Sequence, residues 1–170
     1  MSSRNPIDEL LRKYGLGDGP ANREEARAHY DRIAAEVPED ELASAIGPAL
    51  ETLPVDQIET RVRNSATEMT PQERGGFLET LLGGLGAAQG GGLRNVLEQI
   101  GVSPRVAENP QQATPEDVGK VAAYAKQERP EIFDQAMAFY AKHPTLVKVL
   151  GTLAITAIAK NLFQKRPGLL

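Results

Sequence analysis

The sequence predicts an all-α fold, a multi-helix bundle of about eight or nine short helices with a largely apolar C-terminal helix. Three observations carry that expectation. Apolar residues recur at helical spacing in segment after segment, whereas no convincing period-two apolar run appears anywhere. Helix-opening signals, a Thr or Asn followed three residues later by an acid or a proline in the first turn, punctuate the chain. Aromatics are only 5% with no Trp, so the core must draw on Leu, Ile, Val and Ala, which suits close helix packing.

The elements follow in order. Asn5-Pro6 opens a first helix with Ile7, Leu10 and Leu11 inward and Tyr14-Gly15 at its end. A linker, Gly17 to Ala21, leads to Asn22 and Glu25, which are expected to form a capping box opening a second helix whose Ala26, Tyr30, Ile33 and Val37 share a face. Pro38 ends it. Glu39, Asp40 and Glu41 start a third helix, and Gly47-Pro48 is expected to kink or break it. Pro54 opens a fourth, Val55 to Ala66, with Ile58 and Val62 one turn apart. Thr70 and Glu73 form a capping box before Phe77, Leu78, Leu81 and Leu82.

Six of the ten residues from Gly83 to Gly92 are glycine, which predicts a mobile hinge. This divides the chain into an N-terminal helical region 1–82, the hinge 83–92 and a C-terminal helical region 93–170, unless the whole forms one continuous domain. A sixth helix spans Leu93 to Ile100, and Ser103 to Ala113 reads as a loop. Thr114 and Asp117 cap a seventh helix ending at Arg129. Pro130 opens an eighth, with Ile132, Phe133, Ala136, Met137 and Tyr140 inward. Pro144 opens the ninth.

That last segment, Pro144 to Phe163, is apolar over most of its circumference. Lys148, Thr152, Thr156 and Lys160 recur every fourth residue and form one thin polar stripe on a single helix. Its charge-free run Val149 to Ala159 would rise roughly 16 Å, short of a hydrocarbon core of about 30 Å. The apolar residues Leu146, Val149, Leu150, Leu153, Ile155, Ile158 and Leu162 are the candidate interaction residues. Leu150, Leu153 and Ile158 are expected to pack on the helices that begin at Thr114 and Pro130.

Catalytic and cofactor patterns fail one after another. Without cysteine there is no disulfide, thiolate nucleophile or sulfur ligand. His29 and His143 are the only histidines, and neither has the Glu three residues before it that a helical di-metal site uses. His29 reads as a solvated helix-face residue, and His143 as a cap on carbonyls at the end of the eighth helix. No serine lies in a Gly-x-Ser-x-Gly setting, and the glycine run lacks both the third glycine and the preceding strand of a dinucleotide fingerprint. The expectation is no enzyme activity, no cofactor and no metal. A net charge of −4 argues against nucleic acid. The basic residues Arg61 with Arg63 read as a solvated face, and Lys160, Lys165 and Arg166 as a basic helix end.

Two local patterns carry a resemblance: His29-Tyr30-Asp31 leading to Val37-Pro38, and the longer segment from Phe139 to Gly151, FYAKHPTLVKVLG. With the leucine-glycine stretch after Phe77, the chain resembles a group of bacterial all-helical proteins with no assigned activity. The glycine-rich middle also resembles the YidB-like bacterial proteins. The resemblance implies a bacterial, all-helical protein and brings no catalytic residues.

The functional expectation is therefore a non-enzymatic helical interaction or scaffold protein, self-associating as a homo-oligomer or bound to a protein partner. The alternatives are a peripheral membrane protein that inserts its C-terminal helix, and a carrier of small apolar ligands or lipids. The first fifteen residues show no apolar signal segment, so the expected location is the cytoplasm, with the membrane surface as the alternative.

Overall fold

In the computed structural model, residues 6–17, 19–89 and 92–165 are described, and every regular element among them is helical. Eleven α-helices run in order: α1 Pro6–Gly15, α2 Arg23–Glu36, α3 Glu39–Glu51, α4 Val55–Thr67, α5 Pro71–Gln89, α6 Leu93–Gln99, α7 Arg105–Glu108, α8 Pro115–Glu128, α9 Pro130–Met137, α10 Pro144–Leu150 and α11 Thr152–Gln164. Two 3-10 segments, Pro110–Gln112 and Ala138–Lys142, lie between them. The all-α class stands; the count exceeds the eight or nine expected. The excess comes from α7, which forms inside the presumed loop 103–113, and from the division of the last helix in two.

Capping chemistry sets the helix starts. Asn22 Oδ1 accepts from Glu25 N at 2.8 Å, a one-way cap in place of the expected box, because the Glu25 carboxylate turns to His29 Nε2 at 3.8 Å. At α5 the box is reciprocal: Thr70 N donates to Glu73 Oε1 at 2.9 Å and Glu73 N to Thr70 Oγ1 at 3.1 Å. Thr114 and Asp117 repeat it at α8, with both bonds at 3.1 Å. Each box satisfies two donors that a helix start leaves unpaired. The cap expected from Asn5 lies outside the described residues.

Three expectations change. First, α3 does not break at Gly47-Pro48 but runs to Glu51. Proline removes the N–H that would bond the Ser44 carbonyl, and Lys165 Nζ donates to that carbonyl instead, at 2.8 Å. Gly47 is packed so tightly on α9 that an added Cβ would stand 2.8 Å from Asp134 Cα.

Second, the glycine run is helical as far as Gln89. Leu81, Leu82 and Leu85 are buried, and this burial outweighs the roughly 0.5–1 kcal/mol that each mid-helix glycine costs. At Gly84 the missing side chain is a packing feature, because a Cβ there would meet Ile132 Cγ2 at 2.7 Å. Positions 90 and 91, which the expected hinge also included, lie outside the described residues.

Third, the apolar C-terminal segment is two helices, α10 and α11, bent by 116° at Gly151. Gly151 has φ +102°, a conformation that strongly favours glycine. No single helix among the described residues is long and apolar enough to cross a membrane, although this bent pair has the length and composition of a broken span.

One hydrophobic core cluster takes residues from both sides of the glycine run: Leu11 and Tyr14 of α1, Ile46 and Leu50 of α3, Val62 of α4, Phe77 and Leu81 of α5, Val121 of α8, Phe133 of α9, and Ile155 and Ile158 of α11. α4 lies closely along α8 because Gly119 has no side chain; a Cβ there would meet the Glu59 carbonyl at 2.6 Å. Ser65 is the only buried polar residue among those described. Its hydroxyl bonds both the Val62 carbonyl and Tyr140 Oη, the latter at 2.6 Å. That double pairing removes most of the cost of burying it.

Candidate functional site

The bend at Gly151 builds the feature with the clearest chemistry. Where α10 ends and α11 begins, α2 and α4 close a cleft of about 420 Å³. Arg23 and Arg27 reach it from α2, four residues apart and so on one helix face. Arg61 and Asn64 reach it from α4, Lys148 from α10, and Thr152 with Leu153 from the start of α11. Four cations line this cleft and, among the described residues, no carboxylate does. In a chain of net charge −4, that is a strong local reversal of potential.

Two of the four cations are fixed by contacts of their own. Arg61 Nη1 donates to the Leu150 carbonyl at 2.7 Å, the last residue of α10. Gly151 leaves room for this, since a Cβ would stand 2.6 Å from Nη1. Arg61 Nε is buried and has no partner among the described residues. Lys148 Nζ is held by Asp31 Oδ1 at 2.8 Å, whereas Arg23, Arg27 and Arg61 have no carboxylate in ion-pair contact among the described residues.

The first turn of α11 adds to the field. Its N-cap is Gly151, which offers no capping side chain, and the turn has no acidic residue. Helix-start N–H groups left in that state attract anions. Cations, amide donors and a hydroxyl can together hold an oxyanion. The cleft presents neither a nucleophile paired with a base nor a metal ligand set, and no cluster of three or more His, Cys, Asp or Glu exists among the described residues that could hold a metal.

The seven candidate interaction residues fall into three environments. Leu146, Leu150, Ile155, Ile158 and Leu162 are buried in the core. Val149 is half-buried in the cleft wall. Leu153, expected with Leu150 and Ile158 to pack on the helices that begin at Thr114 and Pro130, is 52% exposed beside the cleft, and α11 packs chiefly on α3 and α1 instead, because the bend turns α11 out of register with α10. Sequence reasoning missed the cleft itself. Arg61 and Arg63 do not form the single solvated face that their spacing suggests: Arg61 lines the cleft, and Arg63 lines a separate groove beside Thr114 and Pro115.

The histidines have roles other than those expected. His29 is not a free surface residue: Tyr14 Oη hydrogen-bonds its Nδ1 at 2.9 Å, and Glu25 approaches Nε2 at 3.8 Å. Burial lowers the His29 pKa, Glu25 opposes this, and Arg32 and Lys13 add to it. Burial, with Glu25 second, pushes the Tyr14 hydroxyl up to about 12. The His143 ring does not cap carbonyls. It stacks on Phe139 with centroids 4.2 Å apart and sets Nδ1 3.2 Å from Glu73 Oε2, the second oxygen of the α5 capping box.

Comparison with protein-family models, curated proteins and solved structures returns no match for this chain.

Proposed function

We propose that this chain is a non-catalytic interaction protein that receives an anionic group of its partner in the cleft between α2, α4 and the α10–α11 bend. One observation carries the reading: four cations converge on a single cleft with no lining carboxylate among the described residues, on a chain that is acidic as a whole. Guanidinium groups remain charged at any physiological pH and bind oxyanions in a bidentate fork. Holding three unpaired arginines close together costs self-repulsion, which an incoming anion relieves.

A second reading, a peripheral membrane role, is favoured by Leu153. A half-exposed leucine beside a cationic cleft is the combination that binds an anionic lipid surface by charge and shallow apolar insertion. It differs from the expected insertion of a whole apolar helix, since most of α11's apolar residues are already buried. Self-association remains part of the first reading and is measured by sedimentation of the same samples.

The test is a titration of the isotopically labelled full chain with tripolyphosphate at low salt, followed by amide and arginine side-chain NMR. Shifts centred on Thr152, Leu153 and the Arg61 Nε–H, reduced by at least tenfold in affinity in Arg27→Gln, are the expected result. Uniform weak shifts, or shifts unchanged in that exposed-site variant, would overturn the reading.

A further inference from the structure

The donor geometry of this cleft points to a phosphate monoester as its occupant. The inference rests on the anion-receiving reading above and narrows it to one chemical class. Three features separate a monoester from other anions.

The first is charge. Asp31 offsets Lys148 at 2.8 Å, which leaves the guanidinium groups of Arg23, Arg27 and Arg61 uncompensated around the cleft. A phosphate monoester carries about −1.5 to −2 at neutral pH, whereas a carboxylate, a sulfate ester or a phosphodiester carries −1.

The second is direction. The donors come from three separate elements, α2, α4 and the α10–α11 bend, and not from one helix face. Three terminal phosphoryl oxygens can meet three such groups. A carboxylate offers two oxygens in one plane, and a diester has only two unesterified oxygens.

The third is room and lining. At about 420 Å³ the cleft exceeds a bare phosphate and accommodates the group to which it is esterified. Val149 and Leu153 add apolar surface to the lining, against which the esterified group can pack. A headgroup of a phosphomonoester lipid and a soluble phosphate ester share this chemistry.

The experiment uses the full chain and four small probes of similar size: methyl phosphate, dimethyl phosphate, methyl sulfate and acetate, titrated calorimetrically at pH 7.5. Methyl phosphate is expected to bind at least tenfold more tightly than the other three. Its affinity should fall several-fold between pH 7.5 and pH 5, as the ester takes up its second proton near about pH 6. No histidine or carboxylate among the described residues lines the cleft; Asp31, which pairs with Lys148 at 2.8 Å and lies one turn from Arg27 on α2, is controlled by Asp31→Asn, in which an unchanged pH response assigns the titration to the ligand. Arg27→Gln, at an exposed position, should weaken methyl phosphate at least tenfold without lowering the melting temperature, since it removes one of the mutually repelling charges. Arg61→Lys should weaken it while keeping the charge, because the fork is lost.

Vesicles separate the two sources. Co-sedimentation with vesicles containing phosphatidic acid but not with equally charged phosphatidylglycerol vesicles, reversed by methyl phosphate, identifies a lipid headgroup. Methyl phosphate binding without such co-sedimentation identifies a soluble phosphate ester. Equal affinities for all four probes overturn the monoester inference, even if tripolyphosphate binds and the broader reading survives. Failure of tripolyphosphate to bind removes both.

Discussion

Lys165 Nζ, at the end of α11, donates to the Ser44 carbonyl of α3 at 2.8 Å, the carbonyl that Pro48 leaves without its helical partner. A proline defect in one helix is thus offset by a lysine 121 residues away in sequence. Lys165 also caps α11 through its own backbone N–H, which donates to the Asn161 and Phe163 carbonyls.

This pairing gives a first prediction. Lys165→Met should destabilise the protein by about 0.5–1.5 kcal/mol, the net worth of one partly exposed hydrogen bond. Pro48→Ala restores the N–H at position 48 and should remove that dependence, so that adding Lys165→Met in its background costs almost nothing. The measurement is a double-mutant cycle by urea denaturation; additive effects would show that the two residues do not share the Ser44 carbonyl.

Much of this fold was legible because helix boundaries are set by local chemistry. Thr70 with Glu73 and Thr114 with Asp117 announce their boxes in sequence, and both boxes form. The continuation of α3 past Gly47-Pro48 and of α5 to Gln89 is not legible locally, because tertiary partners decide both: Lys165 for the first, the burial of Leu81, Leu82 and Leu85 for the second. The cleft was hidden for a related reason. Arg23, Arg27, Arg61 and Lys148 are scattered over 126 positions and meet only because Gly151 turns the chain by 116°, a turn that an apolar run with a regular polar stripe concealed.

The glycine run offers a second prediction, since its helical state makes neighbouring glycines respond oppositely. Nothing lies within contact of a Cβ at Gly83, so Gly83→Ala should stabilise by about 0.5–1 kcal/mol through helix propensity. At Gly84 the new methyl meets Ile132 Cγ2 at 2.7 Å, and Gly84→Ala should destabilise by about 1–3 kcal/mol. Equal, near-zero effects in thermal melts would mean that this stretch is the loop the composition suggests.

The half-buried carboxyls provide a third, in pH. Burial, then the charge and hydrogen bond of Asp134, raise the Glu51 pKa, and Lys126 opposes them. Burial also raises Asp134, against a hydrogen bond from Glu51. A raised carboxyl favours its protonated form in the fold, so its contribution is fully present below the unfolded value near about 4 and is lost as pH rises through the folded value. His29, lowered from 6.5, has the opposite sign: its contribution is present above that value and is lost as pH falls. Glu51→Gln should therefore raise the melting temperature at pH 7 and leave it unchanged at pH 4. A gain of the same size at both pH values would point to something other than carboxyl ionisation.

The two faces of α11 supply a fourth. Ile158 is fully buried and Leu153 is 52% exposed. Ile158→Ala should cost about 2–5 kcal/mol through lost burial and a residual cavity, whereas Leu153→Ser should change stability by no more than about 0.5 kcal/mol. If Leu153 contributes to the function of the cleft, Leu153→Ser will weaken partner or vesicle binding while the urea midpoint stays in place. A large loss of stability in Leu153→Ser would restore the packing expected from the sequence.

The fifth concerns the bend itself. Gly151 has φ +102° and ψ 176°, backbone that an L side chain adopts only at a cost of about 1–3 kcal/mol, and its missing Cβ is the space through which Arg61 reaches the Leu150 carbonyl. Gly151→Ala should lower stability by at least that amount and displace Arg61, so that anion affinity falls with it. Arg61→Lys separates the two effects: the backbone strain is absent and the charge remains, while the fork and its 2.7 Å bond to the Leu150 carbonyl are lost, at a stability cost of about 0.5–1.5 kcal/mol. Melting curves and tripolyphosphate titrations of both variants are the check. The bend positions the cleft if Gly151→Ala loses stability and affinity together while Arg61→Lys loses chiefly affinity. It does not if Gly151→Ala melts and binds like the unaltered chain.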